Sequence, residues 1–251
     1  MEKILLLIDH HGMSRSAFDC ACYLAELSRS ALTAIFVHSE KDQQDKIGEN
    51  IIAFEQACKQ KSIRWYTHPQ YICRTEELII ESRFADLLIV NAESTLDGSP
   101  DAPPTNFVKD VLSRSECPVV VAPLTFTGIE EILFAYDGTA AAVYAIKQFS
   151  YLFPKLSDTK LIFLQVEDQG ASEIINHDKI GEFLKMHYSA IGYKLLHGSA
   201  SQELFSYLIG KKNVFVITGA YGRKMISAFF KESTADLLLK GANHPIFIAH
   251  H

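Results

Sequence analysis

Long apolar runs are missing from this chain: nothing in it approaches the roughly 20 residues that a bilayer-spanning helix requires. The first apolar run, Ile4–Ile8, stops at Asp9, too short for the core of a secretory leader and without a small-residue cleavage site. Positive charge is also scarce. Against 30 Asp and Glu stand 24 Lys and Arg, a net charge of −6, and phosphate neutralisation by a broad nucleic-acid face needs clustered cations. Five cysteines (Cys20, Cys22, Cys58, Cys73, Cys117) all fall in the first half, odd in number and with no C-x-x-C spacing. That excludes a zinc ribbon and a disulfide framework, and suits reduced, core-type thiols in a cytoplasmic protein. No H-E-x-x-H, Walker lysine or Ser-His-Asp order occurs, so no sequence feature argues for catalysis and a non-enzyme is expected. Trp65, the single tryptophan, and the Phe and Tyr content read as core.

What the chain does have is an internal repeat. Lys3-Ile4-Leu5-Leu6-Leu7-Ile8-Asp9 returns as Glu131-Ile132-Leu133-Phe134-Ala135-Tyr136-Asp137. Cys117-Pro118-Val119-Val120-Val121-Ala122-Pro123 returns as His244-Pro245-Ile246-Phe247-Ile248-Ala249-His250. Asp137 follows Asp9 by 128 positions and Pro245 follows Pro118 by 127, so the register holds across a whole half. Two fused copies of one domain are the economical reading, 1–126 and 127–251, joined through Leu124–Gly128.

Each copy carries five short runs without polar alternation, as expected of strands buried on both faces of a parallel sheet. They are Ile4–Ile8, Leu32–Val37, Ile63–Tyr66, Leu87–Val90 and Val119–Ala122, then Ile132–Tyr136, Leu161–Val166, Tyr193–Leu196, Val214–Ile217 and Ile246–Ala249. Helical spacing separates them, as in Ile47, Ile51, Phe54 and Cys58, or Ile180, Phe183, Leu184 and His187. The fold class is therefore α/β: two tandem Rossmann-like or flavodoxin-like domains, each a five-stranded, mostly parallel sheet with helices on both faces. Ser94–Asn106, rich in Pro, Gly and Ser, is expected to be a loop.

In such sheets ligands bind beyond the carboxyl ends of the strands. Two segments of the second copy should meet there: Asp137-Gly138-Thr139 after its first strand, and Gly219-Ala220-Tyr221-Gly222 after its fourth. The segment Arg223–Lys231 then leads to Glu232, Ser233 and Thr234 at the start of the last helix. Glycines let backbone N–H groups approach a phosphate, and a helix N-terminus adds free donors and the positive end of a dipole. Turn and cap chemistry accounts for the same residues. Asp-Gly is a common turn dipeptide with Thr139 as N-cap, and Ser233-Thr234-Ala235-Asp236 fits a capping pattern.

Inside a five-strand α/β repeat, these residues resemble the universal stress protein family. That family carries Asp-Gly-Ser/Thr after strand one and, in its nucleotide-binding branch, G-x2-G-x9-G-(S/T) after strand four. The resemblance spans nearly the whole chain as two tandem copies. It implies that Asp137, Gly138, Thr139 and Val166 hold adenine and ribose, that Gly219, Gly222, Ser233 and Thr234 hold the phosphates, and that ATP or another adenine nucleotide, with Mg²⁺, is the ligand. Glu232 departs from the pattern, standing where the third glycine belongs. A carboxylate at the start of that helix takes the place of a phosphate, so no nucleotide is held if Glu232 blocks the site.

The first copy departs further. His10-His11-Gly12 follows Asp9, and Asn91–Thr95 replaces the glycine pair, with Ala92 set opposite Gly219 and Thr95 opposite Gly222. It reads as a copy that has lost phosphate binding. His10-His11 and His250-His251 are adjacent pairs, poorly placed to chelate one metal if they lie on strands. His68 and His197 are expected at matching places after the third strand of each copy. The reading that results is a stress-response binding module holding nucleotide in its second domain. An interaction protein with both pockets closed and a slow nucleotide hydrolase are the alternatives. The resemblance also implies an intrachain pseudo-dimer paired through the last strands, Val119–Ala122 and Ile246–Ala249, with a homodimer as a further assembly; neither nucleic acid nor a membrane is expected as a partner.

Overall fold

The computed structural model describes residues 2–38, 44–68, 71–98, 101–167, 173–219 and 243–249. Gly222, Glu232, Ser233, Thr234, Arg223–Lys231 and His250-His251 lie outside the described residues. The chain divides into two compact units, Met1–Phe126 and Thr127–His251.

In the first unit, the apolar runs form β1 (Lys3–Ile8), β2 (Ala31–Phe36), β3 (Trp65–Thr67), β4 (Leu87–Asn91) and β5 (Val119–Ala122). Between them lie α1 (Arg15–Ser28), α2 (Gln44–Lys61), α3 (Thr75–Ser82) and α4 (Asn106–Arg114). The second unit carries β6 (Glu131–Tyr136), α5 (Ala140–Leu152), β7 (Lys160–Glu167), α6 (His177–His187), β8 (Ile191–His197), α7 (Ala200–Leu208), β9 (Val214–Gly219) and β10 (Ile246–Ala249). The third strand starts later than its apolar run. The Ile63 amide is spent on Cys58 O at the end of α2, after Ser62 in the left-handed region, so pairing begins only at Trp65.

All pairing within each unit is parallel, in the order β3-β2-β1-β4-β5 and, equivalently, β8-β7-β6-β9-β10. That is the Rossmann order rather than the flavodoxin one, because the chain steps outward twice before crossing back to its fourth strand. The switch points fall between β1 and β4 and between β6 and β9.

Burial on both faces explains why the central strands need no polar alternation: β1, β2, β4 and β5 of the first unit are apolar and almost wholly buried. The second unit fills its interior with aromatic rings. Phe149 of α5 meets Phe134, Phe215 and Phe247 edge-on at 5.9, 5.0 and 5.4 Å, tying one helix to three strands. The cysteines are free; Cys20, Cys22, Cys58 and Cys117 are buried, and burial pushes the Cys58 and Cys117 thiols up to about 12, well away from reactivity. Trp65 is only half-buried, at the sheet edge beneath the Lys59 ammonium at 5.8 Å. Among the described residues no helix is long and apolar enough to cross a membrane.

Where each last strand begins, the repeat has made two choices. Cys117 and His244 both precede the proline whose carbonyl accepts from the fourth strand (Leu88 N to Pro118 O, 3.0 Å; Val216 N to Pro245 O, 2.9 Å). Cys117 suits this apolar place; His244 is 2% exposed and neither ring nitrogen has a hydrogen-bond partner among the described residues. Burial lowers its pKa, against the opposing pull of the Leu208 backbone and Glu131, while Lys211 adds to the lowering. An unfolded His244 therefore binds a proton that the folded one refuses, and stability falls as pH drops below the ordinary value of 6.5. His244→Cys, borrowing the residue of the first copy, is expected to flatten the decline of melting temperature between about pH 7 and about pH 5.5. An unchanged pH profile would show that His244 is protonated equally in both states.

Candidate functional site

In the first unit the carboxyl end of β1 closes on itself. Asp9 is buried, and its carboxylate accepts from His11 N at 2.9 Å and from Thr95 N at 3.3 Å. The Ser94–Asn106 loop is fixed over it. Thr95 Oγ1 accepts from Gly98 N, and Thr105 donates its hydroxyl to Ser94 O and its amide to Ala92 O. Gly98, at φ 76°, lies so close to His10 that a Cβ there would come within 2.8 Å of Nε2. His10 and His11 occupy this turn rather than a strand, with ring centroids 3.7 Å apart. Toward β2, among Ile8, His10, Phe36, His38, Ile47 and Asn50, only about 30 Å³ remains, room for one water and not for a base, whereas on the β4 side a cavity of about 330 Å³ stays open between Asp9, Gly12, Ser14, Asn91 and Ser94. The loop thus takes up the Asp9 carboxylate and narrows the β2 side of the strand ends.

Strand register revises the comparison of copies. Asn91 pairs with Ala122 as Gly219 pairs with Ala249, so the residue opposite Gly219 is Asn91, not Ala92. Motif letters run through loops, where insertions hide; the ladder hydrogen bonds are not subject to that slip. By the same test His68 does not match His197. Trp65 and Ile191 hold equivalent places against Leu32 and Leu161, which puts His68 level with Lys194.

In the second unit the strand ends bring Asp137, Gly138, Thr139, Val166 and Gly219 together. Tyr136 pairs with Gln165 on one side, and Ala135 with Thr218 on the other. Asp137 is exposed, unlike Asp9. Its Oδ1 accepts both the amide (3.0 Å) and the hydroxyl (2.6 Å) of Thr139, whose Oγ1 in turn caps α5 by accepting from Ala142 N at 3.2 Å. Oδ2 makes no hydrogen bond among the described residues. Gly138, at φ 79°, is roofed by Ile175, whose Cδ1 would lie 2.8 Å from a Cβ there.

Gln165 was missed by sequence reasoning, although it is the one strongly polar residue inside the apolar run Leu161–Val166. Fully buried, it accepts from Ile175 N at 3.0 Å and donates to Glu167, so it pins Ile175 over the Asp137-Gly138 turn. Val166 follows it, and its side chain stands on the opposite face of the sheet. Only the Val166 backbone is available on the Gln165 side.

Gly219 has a structural reason of its own. A Cβ there would lie 2.5 Å from Ala141 C, 2.5 Å from Ala142 N and 2.6 Å from Ala141 O, in the backbone of the first turn of α5. The expected purpose, room for a phosphate, is joined by a stricter one: the helix sits on the strand end.

No family sequence model and no curated protein sequence matches the chain. Solved structures do. A universal stress protein from Archaeoglobus fulgidus DSM 4304 aligns with 98% of this chain and 96% of its own length at TM-score 0.67 and 15% identity. The fold is that of the universal stress proteins. A second such protein, from Pseudomonas aeruginosa UCBPP-PA14, matches 100% of this chain and 93% of its own at TM-score 0.61 and 14% identity. A functionally unknown protein from Pseudomonas aeruginosa PAO1 matches 100% and 92% at TM-score 0.60 and 15% identity.

Proposed function

We propose that this protein is a non-enzymatic, cytoplasmic stress-response module that holds an adenine nucleotide in its second unit, with the first unit as a structural or regulatory partner that has lost phosphate binding. The observation that carries this reading is the contrast between two equivalent carboxylates. Asp9 is buried under its own loop with both oxygens bonded to amides, whereas Asp137 is exposed with one oxygen free at the switch point. Asp137 would receive a ribose hydroxyl or base amine, and Thr139 orients it. Pairing of the two last strands within the chain belongs to the same proposal and rests on the repeat and the family resemblance.

Glu232 sets the expected affinity. Two like charges about 4 Å apart repel by about 1 kcal/mol in water and about 4 kcal/mol at intermediate dielectric, while micromolar binding totals only about −8 kcal/mol. Unless Arg223, Lys224, Lys231 or Mg²⁺ offsets it, Glu232 weakens ATP more than AMP. Calorimetry with both nucleotides is expected to show at most one Asp137-dependent site per chain, lost in Asp137→Ala, and tightened for ATP by about tenfold or more in Glu232→Gly. Absence of binding in wild type and Glu232→Gly alike would favour an interaction protein with both pockets closed. Steady phosphate release would favour the hydrolase.

A further inference from the structure

The first unit has a further cavity, of about 740 Å³, at the amino end of β1 and β2 and along the edge strand β3, at the far end of the sheet from the switch point. Its lining carries Lys3, Arg29 and Arg64, with the His68 imidazole, against a single acid, Glu2. Nearby carboxylates are already committed. Glu81 lies 3.7 Å from Lys3 Nζ and 3.1 Å from His68 Nε2, and Asp86 accepts the backbone amides of Glu2 and Lys3. This leaves the two guanidinium groups.

Arginines elsewhere in this acidic chain do not stand alone. Arg15, Arg74, Arg83 and Arg114 each pair with a carboxylate within 3.0 Å. Among the described residues, the two arginines without an ion pair are Arg29 and Arg64, and both line this cavity. Their backbones are fixed. Arg29 caps α1 at φ 57°, its amide held by Ala25 and Glu26, and the Arg64 carbonyl accepts from Leu32 N at 2.9 Å. Tyr66, on the same wall, is 60% exposed.

The other copy acts as an internal control. Asp158 stands two residues before β7 where Arg29 stands two residues before β2, and Ala190 makes to Leu161 N the bond that Arg64 makes to Leu32 N. Lys3 becomes Glu131. The arginine pair therefore belongs to the first unit alone and is not demanded by the fold, while Lys160 and Lys194 of the second unit stand level with Ala31 and His68.

We propose that this cavity binds phosphate monoesters, with Arg29 and Arg64 clamping the phosphate and Tyr66 lying against the organic part. Planar guanidinium groups match two phosphate oxygens each, and an exposed ring offers a face to a sugar or base. The experiment titrates the whole chain with inorganic phosphate, ribose 5-phosphate and AMP, each followed by calorimetry. Wild type is compared with Arg29→Gln, Arg64→Gln and, as a control outside the cavity, Arg83→Gln.

Saturable binding of ribose 5-phosphate is expected, weakened about tenfold or more by either cavity variant, weakened by salt, and unchanged in Arg83→Gln. Both cavity arginines are exposed and unpaired, so neither variant should disturb folding. No saturation by any of the three up to about 10 mM, or equal binding by the cavity variants, overturns the proposal. AMP binding that survives both cavity variants while ribose 5-phosphate fails to bind also overturns it, and leaves the second-unit nucleotide site standing. Inorganic phosphate binding as tightly as the esters assigns the cavity to the free ion and overturns the role given to Tyr66.

Discussion

Gly219→Val is expected to destabilise the second unit by at least about 3 kcal/mol, with or without nucleotide, because the new Cβ meets helix backbone rather than a movable side chain. Three atoms of Ala141 and Ala142 would lie 2.5 to 2.6 Å from it, and α5 cannot retreat without dragging Phe149 away from the rings of Phe215 and Phe247. Urea unfolding should show the loss as an early transition of the second unit. The equivalent residue of the first unit is Asn91, whose side chain accepts from Glu93 N, so that position already accommodates a side chain and Asn91→Val should cost far less. The result also decides how binding data are read. If Gly219→Val loses nucleotide because the unit unfolds, it says nothing about phosphate contact, and Asp137→Ala is the informative variant. A Gly219→Val protein as stable as wild type would overturn the packing argument and return the glycine to the phosphates.

Strand positions were legible because burial on both faces writes itself as unbroken apolar runs: Val119–Ala122 and Ile246–Ala249 are the observed β5 and β10. Strand order was not, since periodicity carries no information on which strands are neighbours. Asp137, Gly138 and Thr139 were legible as a turn and cap from local chemistry. Closure of Asp9 was not, because it depends on Thr95, 86 residues away, and loops announce their composition but not their destination. Gln165 and the Glu131 cluster share a different blindness. Each is a polar residue whose partners (Ile175 and Glu167; Lys160, Tyr207 and Lys211) are gathered only by the sheet.

Removal of Glu131 is expected to have the second largest effect. Its side chain is 8% exposed at the amino end of β6, yet it holds Lys160 at 2.7 Å, Lys211 at 2.9 Å and the Tyr207 hydroxyl at 2.9 Å. Lys211 also lies 4.4 Å over the Tyr207 ring. Glu131→Ala leaves two ammonium groups crowded together without their counterion, and the loss should be about 2–3 kcal/mol, below the value for a fully buried pair because Lys160 can turn to water. Burial alone would raise the Glu131 pKa, but the three donors outweigh it and hold it below the usual 4.5. The stability it contributes is therefore present above that value and lost as pH falls through the lowered one. This separates it from His244, whose penalty begins already below 6.5. His244→Cys should flatten the first stretch of the pH–stability curve and Glu131→Gln the second. Because the cluster sits at the end of the sheet opposite Asp137, nucleotide affinity of folded Glu131→Ala at neutral pH should equal that of wild type. A Glu131→Ala protein of unaltered stability would mean that desolvation already cancels the ion pairs.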